Sequence, residues 1–158
     1  MADFDYIIIG AGSAGCVLAD RLSGSGKFKV LLIEAGPTDN RFWVKTPIGY
    51  GMTFHDETIN WAYHTIPETG LGNRQLYWPR GKILGGSSSI NALVYHHGQP
   101  ADYDDWAAAG NPGWDYHAIK PVYDGFEDII RAETQPLRRG KLTVSDVADE
   151  YHPLKSHF

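Results

Sequence analysis

The chain has few of the residues that mark several common protein classes. Cys16 is its one cysteine, so no disulfide can form within it, and its histidines lack the spacing of a structural zinc site. Lysine and arginine form no long run, and the formal net charge of -5 gives no basic field for nucleic acid. These absences argue against a disulfide scaffold, a zinc module and a nucleic-acid-binding protein.

Long apolar runs are also lacking. Acidic residues stand at positions 3 and 5, where a secretory signal peptide needs bases, and the apolar run at 6–9 is too short to cross a bilayer. We therefore expect a cytoplasmic protein with no membrane segment. The length of 158 residues and the hydrophobic fraction of 42% fit one globular domain.

Glycine, proline and tryptophan, in contrast, are abundant. The chain has 18 glycines, 9 prolines and 5 tryptophans, and most of them lie between residues 36 and 114. Glycine and proline interrupt regular structure, whereas tryptophan supplies contact area. The composition of residues 36–114 therefore predicts long loops and short strands around a bound ligand. The alternative is a loop-rich domain without a ligand.

Residues 4–33 follow the order strand, glycine turn, helix, strand. The apolar run at 4–9 predicts a strand buried on both faces, as in a parallel sheet, and Gly-x-Gly-x-x-Gly follows at 10–15. Apolar residues at helical spacing predict a helix over 13–23, and a second apolar strand is predicted over 29–33. This order is typical of a dinucleotide-binding βαβ unit.

The geometry of such a unit assigns a task to each key residue. Gly10 permits the tight turn, Gly12 lets backbone amides approach a pyrophosphate, and Gly15 lets helix and strand pack closely. Glu34 stands at the end of the second strand, where its carboxylate accepts hydrogen bonds from ribose hydroxyls and repels a 2'-phosphate. The unit therefore disfavours NADP.

A second glycine-rich segment occupies residues 79–91. Gly85 and Gly86 have no Cβ and would let a flat ligand lie against backbone, while the serines at 87–89 and Asn91 add polar groups. Aliphatic residues flank this segment on both sides, which argues against a flexible linker. Two basic residues before the glycines are suited to neutralise phosphate: Arg80 and Lys82.

Together these motifs resemble the N-terminal third of a glucose-methanol-choline (GMC) oxidoreductase. Residues 81–91, with Tyr95, Gly98 and Asp104, are similar to the first signature of that family. The resemblance continues in three further segments, at 60–63, 102–106 and 110–114. It covers nearly all of the chain.

The resemblance implies an α/β fold with a Rossmann-like βαβ FAD-binding domain and the start of a substrate domain, incomplete in this chain. We expect a dinucleotide-binding core over 1–36 and a loop-rich FAD-wrapping section over 37–114, with the signature at 81–104. Residues 115–158 would begin the substrate domain. In that last section, the pattern predicts a helix from Asp115 to Arg131, a strand over 141–144 and a helix entrance at 152–158.

By the same resemblance, the cofactor is FAD. Residues 10–15 would hold the pyrophosphate, Glu34 the adenosine ribose, and residues 85–94 the pyrophosphate, ribityl and flavin region. The full predicted cofactor site consists of Gly10, Gly12, Ser13, Ala14, Gly15, Glu34, Ala35, Trp61, Arg80, Ile83, Gly85, Gly86, Ser87, Asn91, Ala92, Leu93 and Val94.

Two positions depart from patterns seen in the family. Members with covalent flavin have a histidine just before the motif asparagine, where this chain has Ile90, so we expect non-covalent FAD. An arginine often precedes the motif glycine, where this chain has His97. A surface or loop role for His96 and His97 is one interpretation, and a role for His97 near the flavin edge is the other.

The family oxidises an alcohol to an aldehyde or ketone by hydride transfer to flavin N5. Its base is a histidine near the C-terminus, and none of the 7 histidines of this chain has a matching context. We therefore expect no catalytic residue here, a small-molecule alcohol as substrate, and a second polypeptide that completes the fold. The alternatives are an FAD-containing lyase and an inactive FAD-binding fragment. These residues favour none of choline, sugars, aromatic alcohols and pyridoxine-like alcohols.

Overall fold

The computed structural model describes residues 3–130 and 140–145. The chain divides into two units, the first ending at Val94 and the second beginning at Tyr95. The first unit contains both glycine motifs, and the second contains two helices and a pair of strands.

The first unit opens with a βαβ arrangement. Strand β1 (Tyr6–Ile9) leads through the glycine turn into helix α1 (Ser13–Ser23), and strand β2 (Val30–Ile33) follows. β1 and β2 are parallel, with Tyr6 opposite Val30 and Ile9 opposite Ile33. The predicted helix is confirmed with its bounds, and the two strands begin two residues and one residue later than predicted.

Burial of the first strand differs from the prediction. Ile7 is 61% exposed and Ile9 is 86% exposed, so β1 is not buried on both faces. Among the described residues, β1 has β2 as its one neighbour in the sheet. A parallel strand needs strands at both edges and helices on both faces to be fully covered. The apolar pattern correctly predicts a strand, but the described residues do not bury the side chains of Ile7 and Ile9.

The middle of the first unit consists of short elements. In chain order they are helix α2 (Phe42–Lys45), a 3-10 turn (Pro47–Gly49), helix α3 (Tyr50–Thr53), strand β3 (Tyr63–His64), a 3-10 turn (Thr69–Leu71), strand β4 (Tyr77–Trp78) and a 3-10 turn (Gly86–Ser89). β3 and β4 are antiparallel. A small aliphatic core of Ile59, Ile83 and Ile90 holds these loops, with Val44 packed against it.

Two helices begin the second unit. Helix α4 (Pro100–Ala108) starts with a proline, and the Asp102 carboxylate accepts from the Gln99 N–H at 2.7 Å. Helix α5 (Tyr116–Phe126) is capped by Asp115, whose side chain accepts from Ala118 N–H at 3.0 Å. Both caps satisfy backbone donors that a helix leaves without a partner in its first turn.

The predicted helix from Asp115 to Arg131 is too long. α5 ends at Phe126, and strand β5 (Glu127–Ile130) follows and pairs in parallel with strand β6 (Leu142–Ser145). Ile130 fits the helical spacing after Phe126, but the backbone ladder with β6 determines the conformation of residues 127–130. The strand predicted over 141–144 is confirmed within one residue, whereas Arg131 and the helix entrance predicted at 152–158 lie outside the described residues.

None of the helices in the described residues combines the length and the apolar content that a membrane crossing requires.

Candidate functional site

The two glycine motifs meet backbone to backbone in the first unit. Gly85 N–H donates to the carbonyl oxygen of Ala11 at 2.7 Å. A Cβ built on Gly86 would stand 2.8 Å from the Cα of Gly12, closer than real Cβ contacts allow. Gly86 also has φ +61°, a conformation that side chains disfavour. The junction therefore needs glycine for two independent reasons.

The glycine turn itself is equally close-packed. A Cβ on Gly15 would lie 1.9 Å from the carbonyl oxygen of Gly10 and 3.4 Å from the Ile8 side chain. Gly15 thus lets α1 pack against β1, as the sequence predicts. Gly10 has φ +95° in the turn.

A cleft of about 510 Å³ opens beside this junction. Its volume is within the range of roughly 300–1,000 Å³ that is usual for small-molecule sites. The lining residues are Ile9, Gly10, Gly12, Ile33, Glu34, Ala35, Trp61, Tyr63, Arg80, Gly81, Gly86 and Ser87. Both glycine motifs, the end of each parallel strand and the loop around β3 therefore contribute to one concave surface.

The predicted cofactor residues divide into two groups by position. Those that line the cleft are Gly10, Gly12, Glu34, Ala35, Trp61, Arg80, Gly86 and Ser87. Those that do not line it are Ser13, Ala14, Gly15, Ile83, Gly85, Asn91, Ala92, Leu93 and Val94. Ile83 is 0% exposed and belongs to the aliphatic core, so its side chain packs rather than facing the cleft.

Several lining residues were not on the predicted list: Ile9, Ile33, Tyr63 and Gly81. A signal existed for three of them. Ile9 and Ile33 end parallel strands, and ligands of open α/β sheets bind outside the carboxyl ends of the strands. Tyr63 stands in the segment 60–63 that resembles the family.

Glu34 ties the glycine turn to the loop after β2. Its Oε2 accepts from the N–H of Ala11 at 2.7 Å, and its Oε1 accepts from the N–H of Gly36 at 3.0 Å. A carboxylate has about four acceptor positions, so each oxygen keeps a further position. The side chain is therefore both a structural link and an available acceptor at the cleft.

The start of helix α1 offers free amides at the same place. Gly12 is the N-cap residue, and no side chain caps the helix there. The first hydrogen bond of the helix runs from Cys16 N–H to the Gly12 carbonyl at 2.9 Å. The N–H groups of residues 13–15 lie before this bond and therefore have no acceptor within the helix. Such amides, aligned with the helix dipole, favour a negatively charged ligand.

Aromatic and cationic side chains form one wall of the cleft, which consists of Trp61, Tyr63 and Arg80. The rings of Trp61 and Tyr63 are stacked, with centroids 6.0 Å apart and planes 6° apart. Lys82 Nζ lies 5.1 Å from the Trp61 ring centroid, and Arg80 Cζ lies 5.0 Å from that of Trp78. This wall combines flat apolar surface with positive charge.

The serines of the second motif bond mainly to their own segment. Ser87 Oγ accepts from Gly81 N–H at 3.1 Å, Ser88 Oγ donates to the Gly85 carbonyl at 2.7 Å, and Ser89 Oγ donates to the Leu84 carbonyl at 2.7 Å. The Ser88 and Ser89 hydroxyls therefore donate within the turn, whereas the Ser87 hydroxyl accepts there and keeps its own proton to donate at the cleft.

Asn91 and Leu93 line a second, smaller recess beside α2 and α3. Asn91 Oδ1 accepts from Leu93 N–H at 2.8 Å, and Leu93 has φ +63°, which is unfavourable for a leucine. Ile90, in the position of the family's covalent histidine, is 2% exposed in the aliphatic core.

His97 belongs to a polar cluster of the second unit. Its Nε2 is 2.6 Å from Oε1 of Glu127, which is 2% exposed, and its ring stacks on Tyr123 at 4.1 Å. The Tyr95 hydroxyl donates to the same Glu127 oxygen, and burial together with this bond raises the pKa of Tyr95. The hydroxyls of Tyr103 and Tyr123 are 3.2 Å apart. His97 is thus the partner of a buried carboxylate, a contact that neither interpretation of the sequence included.

Known proteins match most of this chain, whereas the chain matches only part of their length. The family model for GMC oxidoreductase matches residues 4–158. An oxygen-dependent choline dehydrogenase from Photobacterium profundum is 48% identical over 130 residues, which are 82% of this chain and 23% of that protein. An alcohol dehydrogenase [acceptor] from Pseudomonas putida is 43% identical over 157 residues, 98% of this chain and 28% of that protein.

Among solved structures, pyridoxine 4-oxidase from Mesorbium loti has a TM-score of 0.86 and 33% identity, covering 98% of this chain and 30% of that chain. The chain therefore spans about a quarter of the curated relatives that it matches. It belongs to the GMC oxidoreductase family, whose members are FAD-dependent flavoenzymes.

Proposed function

We propose that this member of the GMC oxidoreductase family forms the FAD-binding part of a flavoprotein that oxidises an alcohol to an aldehyde or ketone. The observation that carries the proposal is the junction of the two glycine motifs, with Glu34 at the edge of the same cleft. One motif alone would suit several dinucleotides, whereas the pair is the family's own combination.

The residues of the cleft fit the parts of FAD. Free amides at the start of α1 suit the pyrophosphate, and Gly12 has no atom closer than 3.9 Å where its Cβ would be, so the backbone there stays open. Glu34 retains acceptor positions for the ribose hydroxyls. Trp61 and Arg80 would cover the remaining wall, and we place the ribityl and flavin region along residues 85–94.

We infer that FAD is held without a covalent bond. The family's covalent members use a histidine at the position of Ile90, and an aliphatic side chain has no nucleophilic atom. Its burial in the core supports the same inference. Denaturant precipitation of the FAD-loaded protein tests it: yellow colour should stay in the supernatant, and colour in the pellet would contradict it.

When bound, FAD supplies the acceptor for a hydride from the alcohol carbon. The residues of this chain bind and orient it, through amides at the pyrophosphate and a carboxylate at the ribose. The exposed apolar side chains of β1 support a further polypeptide that packs on this sheet, and we expect the catalytic base there. The domain plan of a nucleotide core over 1–36, a wrapping section over 37–114 and a substrate section from 115 is part of the same proposal.

The test is anaerobic reduction of the purified protein as it is isolated. Choline, a sugar, benzyl alcohol and pyridoxine are added in turn, and the absorption of oxidised flavin is followed. Bleaching by any of these alcohols supports the proposed activity and selects the substrate class. Bound flavin that no alcohol bleaches would contradict alcohol oxidation, and a protein that binds no FAD would contradict the whole proposal.

A further inference from the structure

Asn60 is a buried side chain behind the wall of the cleft, with a relative exposure of 2%. Its Oδ1 accepts from the backbone N–H of Ala62 at 3.0 Å and from that of Arg80 at 2.9 Å. Its Nδ2 donates to the Phe54 carbonyl at 2.9 Å and to the Tyr77 hydroxyl oxygen at 3.1 Å. The carboxamide thus uses both of its donors and both of its acceptor positions.

These partners fix the orientation of the Asn60 carboxamide. Backbone N–H groups can only donate, and a backbone carbonyl can only accept, so the oxygen must face Ala62 and Arg80 and the nitrogen must face Phe54. A flipped amide would leave the N–H groups of Ala62 and Arg80 without this acceptor and would set the amide oxygen against the Phe54 carbonyl oxygen. Because the residue is buried, each lost bond would leave a polar group without water to replace it.

The acceptor side of Asn60 joins the two chain segments that carry the cleft wall. Trp61 N–H donates to the Arg80 carbonyl at 2.9 Å, and Asn60 forms an antiparallel bridge with Gly81. Ala62 has φ +51°, a conformation unfavourable for alanine, and its N–H is held by the Asn60 oxygen. The segment therefore leaves its preferred backbone conformation immediately after the wall residue Trp61.

We propose that Asn60 is a positioning residue for cofactor binding: its carboxamide oxygen sets the separation of Trp61 and Arg80 on the wall of the cleft. The inference rests on the proposed FAD site. It assigns a role to the oxygen of the side chain that differs from the role of its nitrogen. The oxygen holds the wall, whereas the nitrogen ties the segment to Phe54 and Tyr77 behind it.

Three substitutions separate the two sides of the carboxamide. Asn60→Leu keeps the approximate shape and removes every hydrogen bond. Asn60→Asp keeps an acceptor for the N–H groups of Ala62 and Arg80 and removes the donors. Tyr77→Phe is the matched control, because it removes the hydroxyl that bonds Asn60 Nδ2 and the Phe54 carbonyl and leaves the bonds of the Asn60 oxygen in place.

The measurements are FAD titration of the apoprotein prepared from the isolated protein, thermal unfolding, and the visible circular dichroism of bound flavin. Asn60→Leu should raise the Kd for FAD about 10- to 100-fold, since buried backbone donors at the wall lose their acceptor. Asn60→Asp should raise it less, and Tyr77→Phe should leave it within about 2-fold of wild type, although all three lower the unfolding temperature. The flavin dichroism should change in Asn60→Leu and stay unchanged in Tyr77→Phe.

The outcomes distinguish this inference from the proposed function. A wild-type protein that binds no FAD would overturn both. A wild-type protein that binds FAD would overturn the inference alone if Asn60→Leu binds equally tightly, or if Kd simply follows unfolding temperature across the variants. If Asn60→Leu does not fold, the other two decide: Asn60→Asp keeps the acceptor oxygen, so a Kd within about 2-fold of that of Tyr77→Phe supports the positioning role of the oxygen, and a Kd about 10-fold higher overturns it.

Discussion

Each of the two units of the chain is stabilised internally by a different kind of contact. In the first, glycine backbones touch where a Cβ would collide, as between Gly86 and Gly12, and a small aliphatic core lies nearby. In the second, a buried carboxylate, Glu127, is satisfied by Tyr95 and His97. The first unit therefore requires residues without a Cβ atom at its backbone contacts. The second requires the hydrogen-bond partners of a buried carboxylate. Substitutions should damage the two units in different ways.

The largest effect is expected from adding a side chain at the glycine junction. Gly86→Val should weaken FAD binding by about 2–5 kcal/mol, because it combines a backbone collision with strain at positive φ. FAD titration measures the loss. The control is Gly26→Ala, which has φ +69° with nothing within 4 Å of its Cβ. If both variants bind FAD like wild type, close backbone approach at the junction is not needed for the site.

Next in size is the loss of the buried charge in the second unit. Glu127→Gln should lower the free energy of unfolding by about 2–4 kcal/mol, because a neutral amide oxygen accepts more weakly from His97 and Tyr95 than the carboxylate does, and an NH2 group enters the buried site. Chemical denaturation measures this change, with the exposed Glu57→Gln as control. FAD affinity should stay within about 2-fold of wild type. A large loss of FAD affinity would show that Glu127 also contributes to FAD binding.

A smaller effect is expected at Glu34 in the first unit. Glu34→Ala removes the acceptor of Ala11 N–H and of Gly36 N–H and the proposed ribose contact. FAD binding should weaken by about 1–3 kcal/mol, the scale of hydrogen bonds to a charged group. Isothermal titration of the apoprotein with FAD measures it. Unchanged affinity would remove Glu34 from the site.

The smallest effect is a dependence on alkaline pH that belongs to the second unit. The hydrogen bond with the Tyr103 hydroxyl, together with burial, raises the pKa of Tyr123 from 10.0 to about 12. A raised pKa in the folded state stabilises the fold below pH 10, and this contribution is lost as pH rises toward 12. Tyr123→Phe should flatten the decline of unfolding temperature over this window. An equally steep decline in that variant would assign the dependence to another group.

The same contrast explains which features the sequence could predict. Gly10, Gly15 and the helix over 13–23 were predictable because a glycine turn between strand and helix is a local pattern. The exposure of β1 was not predictable, since burial depends on neighbours elsewhere in the fold. The prediction for α5 is too long because Ile130 fits helical spacing as well as strand pairing.

The site shows the same division. The cleft positions of Gly12, Glu34 and Gly86 follow from motif geometry, whereas the contact between His97 and Glu127 joins residues far apart in the sequence. Asn60 is a similar case, because its role depends on four partners that only the folded chain brings together. Side-chain networks of this kind have no local periodicity by which a sequence could reveal them.

Hydrogen exchange of the isolated protein, with FAD present and after its removal, tests the central claim most directly. The account predicts that FAD slows amide exchange in residues 10–16 and 81–91, where the two glycine motifs meet, and leaves helix α5 (Tyr116–Phe126) nearly unchanged. Protection confined to α5, or absent from both glycine motifs, would contradict the assignment of the cofactor to their junction.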